Sequence, residues 1–145
     1  MRYTKVKHKD INKMCVIDKE LLDYLWERAF PVDGYDQDKY RHDACGAWIE
    51  KGKYGDRTSP YGWEIDHIYP QSLLKERKVE QDEIDNRTNM RALNWQNNDS
   101  KGIDYPVYHA KVRAEGNKNI VDDRELVVNK DTQQVVDALY GKYLK

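Results

Sequence analysis

The sequence predicts one small α+β domain. Three observations carry this: a length of 145 residues, which suits a single domain of about 100–200; apolar residues at helical spacing near both ends; and short apolar runs between turn-rich stretches in the middle. With 39% hydrophobic and 35% charged residues, the balance is that of a folded chain with a modest core rather than a disordered one.

The first element is a helix over residues 18–30, where Leu21, Leu22, Leu25, Trp26 and Ala29 share one face, Asp18 caps the start and Pro31 stops it. It is expected to lid part of the core. Residues 31–46 are turn-rich and read as irregular. Ala47-Trp48-Ile49 and Trp63-Glu64-Ile65-Asp66-His67-Ile68 read as two short strands joined by a long loop containing Gly52, Gly55, Pro60 and Gly62, and Pro70 ends the second. From Gln71 to Arg87 the charges crowd around only Leu73, Leu74, Val79 and Ile84, which predicts a solvated loop or short helix. Residues 89–102 combine a polar turn with a short helical segment closed by Gly102. Strands are expected over 105–113 and 124–129, then a terminal helix through Val135, Val136, Leu139, Tyr140, Tyr143 and Leu144, capped by Asp131 or Thr132.

No window holds the roughly 18–20 apolar residues of a membrane span, and the charged start Met1-Arg2-Tyr3-Thr4-Lys5 has no apolar signal region behind it. The expected address is cytoplasmic. That setting argues for reduced thiols at Cys15 and Cys45, and two cysteines cannot build a four-cysteine zinc knuckle. The formal net charge of −1 gives no global pull on nucleic acid, although Arg2, Lys5, Lys7 and Lys9 form a local basic patch.

The residues that packing does not demand are Asp, His and Asn in a fixed order. Asp66-His67 ends a strand with Pro70 following, Asn89 precedes Met90-x-x-Leu93, and Asn98 stands three positions before Lys101. Joined to Tyr61-Gly62-Trp63 before the first pair and to Asp43-Ala44-Cys45-Gly46-Ala47-Trp48-Ile49 upstream, this order resembles the HNH endonuclease family, the ββα-metal nucleases. The resemblance runs over residues 20–102. It implies an HNH nuclease core over 37–102, an N-terminal helical extension over 1–36, and a strand-and-helix extension over 103–145.

The chemistry explains the residue types. Phosphodiester hydrolysis needs an activated water, an electrophile for the charge growing on phosphate oxygens, and help for a poor leaving alkoxide. Neutral imidazole takes a water's proton near pH 7, and the resemblance gives that role to His67. It implies that Asp66 and Asn98 hold one divalent cation, Mg²⁺ or Mn²⁺ by their oxygen donors, with Ni²⁺ or Zn²⁺ as alternatives. Asn89 then orients the histidine loop, and direct attack by water leaves a 5′-phosphate and a 3′-hydroxyl. Lys101, Arg91 and Arg87 are close enough in sequence to contact backbone phosphates. The expected substrate is DNA, double-stranded for preference, with no small-molecule cofactor.

Two positions have competitors. The segment Gln71–Thr88 is longer than the Gly-rich turn of many relatives, so Asn86 competes with Asn89 and Asn97 with Asn98. Asn89 is preferred for its spacing to Met90 and Leu93, Asn98 for its spacing to Lys101. Adjacent strand residues point to opposite faces, so the strand must end or twist for Asp66 and His67 to share a phosphate. The other histidines, His8, His42 and His109, lack such a context. Trp26, Trp48 and Trp63 suit core packing better than base stacking. Rival readings are a non-cleaving nucleic-acid-binding module of the same fold and an interbacterial toxin nuclease.

Overall fold

Helix α1 (Lys19–Glu27) starts where Asp18 accepts the backbone N–H of Leu21 at 3.0 Å, as its sequence predicts. The coordinates are a computed structural model that describes residues 17–145, so the basic segment Arg2–Lys9, His8 and Cys15 lie outside the described residues. Leu21, Leu22, Leu25 and Trp26 turn inward to Ile49, Trp63, Met90 and Ala92. Buried Arg41 ties the end of α1 down by donating to the carbonyls of Glu27 and Ala29.

Among the described residues the fold is mixed α+β, with three two-stranded antiparallel hairpins and five helices. Strand β1 (Tyr40–His42) pairs with β2 (Trp48–Glu50), β3 (Trp63–His67) with β4 (Met90–Asn94), and β5 (Val107–Glu115) with β6 (Lys118–Val127). Three sequence expectations are corrected here. Residues 31–46 contain β1, whose three residues are too few for an alternation to show. The strands at 48–50 and 63–67 are joined by a long connection as expected, but the expected loop contains a 3-10 turn over Lys51–Lys53. Met90–Asn94 is a strand and not a polar turn, because Arg91 and Asn94 find partners inside the fold.

Between β3 and β4 the charged segment folds into α2 (Gln71–Glu76) and α3 (Gln81–Ile84), which bury Leu74, Val79 and Ile84 in a second core. Tyr108 and Ala110 of β5, Val128 from the link after β6, and Val136 and Tyr140 of α5 (Lys130–Tyr140) complete that core. The cap of α5 is Asn129, accepting from Thr132 N at 2.8 Å, instead of Asp131 or Thr132. Helix α4 (Trp95–Lys101) follows β4 without a break, is capped by Asn94, and ends at Gly102 with φ of 54°. No helix among the described residues is long and apolar enough to cross a membrane.

Candidate active site

The pleat of the β3/β4 pair sorts the site residues onto two faces. Asp66 lies opposite Arg91 and Glu64 opposite Leu93, so these four share one face; His67 lies opposite Met90 and Ile65 opposite Ala92, on the other. Helix α4 covers the first face and α1 the second. Strand β3 does end at His67, but Asp66 and His67 leave it on opposite sides.

On the α4 face, Asp66 is buried and carries two cations. Arg91 Nε donates to its Oδ2 at 2.9 Å, and Lys101 Nζ stands 3.1 Å from its Oδ1. Lys101 is 1% exposed and donates also to the His67 carbonyl at 3.3 Å. Burial pulls the Lys101 ammonium below the ordinary lysine range, while Asp66 opposes that pull. Arg91 packs its guanidinium over the Tyr108 ring at 5.2 Å, and its buried Nη2 has no hydrogen-bond partner among the described residues. The positive ends of Lys101 and Arg91 are thus turned inward to Asp66 and away from the phosphate-facing surface expected of them. Arg87 stays outside, paired with Glu20 at 3.1 Å and stacked on Tyr24 at 5.4 Å.

Two residues along the same face, Asn98 Nδ2 donates to Glu64 Oε1 at 3.1 Å, and Asn98 Oδ1 accepts nothing from the described residues. Arg57 binds both Glu64 oxygens at 2.7 and 2.9 Å and both Asp99 oxygens at 3.0 and 3.1 Å, with its guanidinium over Trp95. Burial alone would raise the Glu64 carboxyl, but Arg57 and Asn98 more than offset it and hold it low. The turn bearing Arg57 presses against the start of β3 at Gly62, where a Cβ would overlap the Asp56 carbonyl oxygen. Glu64 is a site residue that sequence reasoning passed over, although its spacing of two from Asp66 placed it on the same strand face.

At the end of β3, His67 Nε2 lies 2.7 Å from Asp85 Oδ1, and Gln81 Nε2 holds the other Asp85 oxygen at 3.0 Å. Asp85 is the second residue missed; it looked like one more charge in a solvated run. Asn89 is wholly buried and clamps this loop, its Oδ1 accepting from Tyr69 N at 2.8 Å and its Nδ2 donating to the carbonyls of Tyr69 and Ile84. It therefore fixes the backbone on both sides of the His67–Asp85 contact without touching the ring. Its competitor Asn86 caps a 3-10 turn over Arg87–Asn89 by accepting from Thr88.

Asn97 is buried and structural. It accepts from the N–H groups of Lys111 and Val112 at 2.8 Å each and donates to Asp43 and the Val112 carbonyl. Asp43, also buried, accepts from the N–H groups of Cys45, Ala47 and Asn94, which ties the turn before β2 to the β4–α4 junction. Cys45 lies in that turn, and burial pushes its thiol up to about 12, so it stays protonated and inert.

By type, the Glu64 and Asp66 carboxylates of β3 and the Asn98 amide oxygen of α4 are donors that a hard divalent ion takes, but Asn98 contacts Glu64 while Asp66 faces Arg91 and Lys101, and the described residues hold no group of three or more histidine, cysteine or carboxylate ligands. The charges constrain the fit further. Both carboxylates already have arginine or lysine partners, so an ion on Asp66 Oδ1 requires Lys101 to give way. Comparison with protein-family models, with curated proteins and with solved structures finds no match to this chain.

Proposed function

We propose that this protein is a metal-dependent endonuclease that hydrolyses DNA phosphodiester bonds, with the HNH-type ββα core that its sequence resembles. The observation that carries the reading is the unit β3–β4–α4, with Glu64, Asp66 and Asn98 on the helix-facing side and a His67–Asp85 pair at the strand end.

Asp85 as a carboxylate accepts from Nε2–H of His67, which leaves the Nδ1 lone pair as the basic atom. That nitrogen takes the proton of the attacking water, and Asp85 steadies the positive charge then carried by the ring. Asn89 keeps the loop from shifting the pair during the reaction. Asp66, Asn98 and Glu64 would hold the divalent ion, which would supply charge neutralisation at the scissile phosphate; because Asp66 and His67 leave β3 on opposite sides, that phosphate would have to reach round the strand end to meet both. Arg57, half-exposed beside Glu64 and Asn98, is the cation best placed to meet the phosphate backbone on this side.

Plasmid cleavage with EDTA, Mg²⁺ or Mn²⁺, run beside His67→Ala, tests the reading. Metal-dependent nicking that the variant lacks supports it; cleavage that survives His67→Ala assigns the base elsewhere. A second reading, a non-cleaving nucleic-acid-binding module, draws on the Asp66–Arg91–Lys101 cluster, where cations already stand against the candidate ligand. DNA binding without cleavage under any metal would select it.

A further inference from the structure

Away from β3 and α4, the β1/β2 hairpin builds a cup. Its register sets Tyr40 opposite Glu50 and His42 opposite Trp48, so all four side chains leave the same face. Tyr35 and Tyr61 stand as walls and Asn117 as part of the rim around a cavity of about 260 Å³. That is below the roughly 300–1,000 Å³ of sites that enclose a whole small molecule, and it suits a head group.

The walls are aromatic and the charge is negative. Glu50 is the only charged residue lining the cavity, and its carboxylate has no hydrogen-bond or ion-pair partner among the described residues. Trp48 is 4% exposed, with its indole N–H donating to the Gly116 carbonyl at 2.7 Å and its ring packed by Tyr35 and His42, so it forms the buried floor beneath the tyrosines. The rings are not parallel. Tyr35 and Trp48 sit 4.5 Å apart at 56°, and His42 meets Trp48 at 80°. A flat nucleobase wants a slot between parallel faces; inclined faces make a rounded receptacle. Burial pulls His42 below its ordinary value, which disfavours a positive charge beneath the floor.

We propose that this cup binds an alkylated ammonium group, with the rings of Tyr35, Tyr40 and Tyr61 around the methyl groups above the buried Trp48 floor and the Glu50 carboxylate balancing the charge. Electron-rich ring faces attract a diffuse cation, and a methylated ammonium loses less hydration on entry than a primary one. The methyl groups match the apolar walls, and the unpaired carboxylate gains a counter-charge. The ligand is either a free small molecule with a trimethylammonium head or a methylated lysine side chain; the chemistry is shared.

Titration of the full-length protein with choline, followed by tryptophan fluorescence and calorimetry, tests this directly. Choline should saturate, and its neutral isostere 3,3-dimethylbutanol should bind at least about tenfold more weakly. Glu50→Gln and Tyr40→Ala should each weaken choline by a similar factor. N-acetyl-trimethyllysine amide run in parallel separates the sources, since tighter binding than choline points to a protein side chain and weaker binding to a free small molecule. Equal binding of choline and the isostere overturns the proposal, as does no saturation by either cation. Saturation by guanosine monophosphate with none by choline also overturns it and gives the cup to a nucleobase. The wild-type comparison of choline with its isostere decides the matter even where a variant fails to fold.

Discussion

The Nε2 atom of His67 and the Oδ1 atom of Asp85 lie 2.7 Å apart, joining the last residue of β3 to the turn after α3. A carboxylate in that place selects one tautomer of the ring. Asp85→Asn keeps the shape but offers an amide that can donate as well as accept, so the basic nitrogen is no longer fixed. The expected loss in kcat is about 10²–10⁴-fold, the range of a general-base contribution, with KM little changed. Single-turnover cleavage with thermal melts on the same sample checks it; a fall in stability at unchanged rate would make the pair structural.

Asn97 and Asn98 are neighbours with opposite fates. Asn97→Ala strands two backbone N–H groups of β5, one buried and one part-buried, and removes a donor from Asp43, which should cost about 2–3 kcal/mol. Asn98→Ala breaks one half-buried contact to Glu64 and should move stability by less than about 1 kcal/mol while abolishing metal-dependent cleavage. Urea unfolding and plasmid nicking on both variants form the test. The reverse pattern would exchange the two roles.

Lys101 is the fully buried cation of the Asp66 cluster. Lys101→Met keeps the length and removes the charge, leaving Asp66 with Arg91 alone. Breaking a buried pair costs about 3–5 kcal/mol when no other partner remains, so about 2–3 kcal/mol is expected here. A lysine acting on phosphate predicts something different: unchanged melting and a shallower dependence of DNA affinity on salt. Melting curves and filter-binding across salt concentrations separate the two.

What the sequence made legible follows from how local each signal is. The α1 cap at Asp18, the strand ending before Pro70 and the α4 stop at Gly102 rest on neighbouring residues, and all three stand in the fold. Strand β4 was hidden because Arg91 and Asn94 look polar in sequence, and only tertiary partners, the Asp66 carboxylate for one and the Trp48 and Pro60 carbonyls for the other, make them interior residues. The same blindness covered Asp85, whose role depends on a histidine 18 positions away. For the site, the strand end near Pro70 suggested that Asp66 and His67 share a face, which the regular β3/β4 register up to His67 denies, and no pattern told that Lys101 and Arg91 would both turn inward to Asp66.

Glu64 gives the structure an acid-sensitive joint. Burial raises its carboxyl, the Arg57 guanidinium and the Asn98 amide lower it further, and the net position is below the ordinary 4.5. A carboxyl depressed in the folded state contributes stability at all pH above its unfolded value, and that contribution drains away as pH falls through the folded one. Melting temperature should therefore drop on acidification between about pH 5 and 3, and Glu64→Gln, which has no proton to take up, should drop less over the same window. Arg57→Ala should flatten the profile in the same direction, because Glu64 then keeps only the Asn98 contact and its folded value moves back up. Parallel slopes for wild type and Glu64→Gln would show that the Arg57–Glu64–Asp99 bridge contributes nothing to folding and serves only to hold Arg57 beside Asn98.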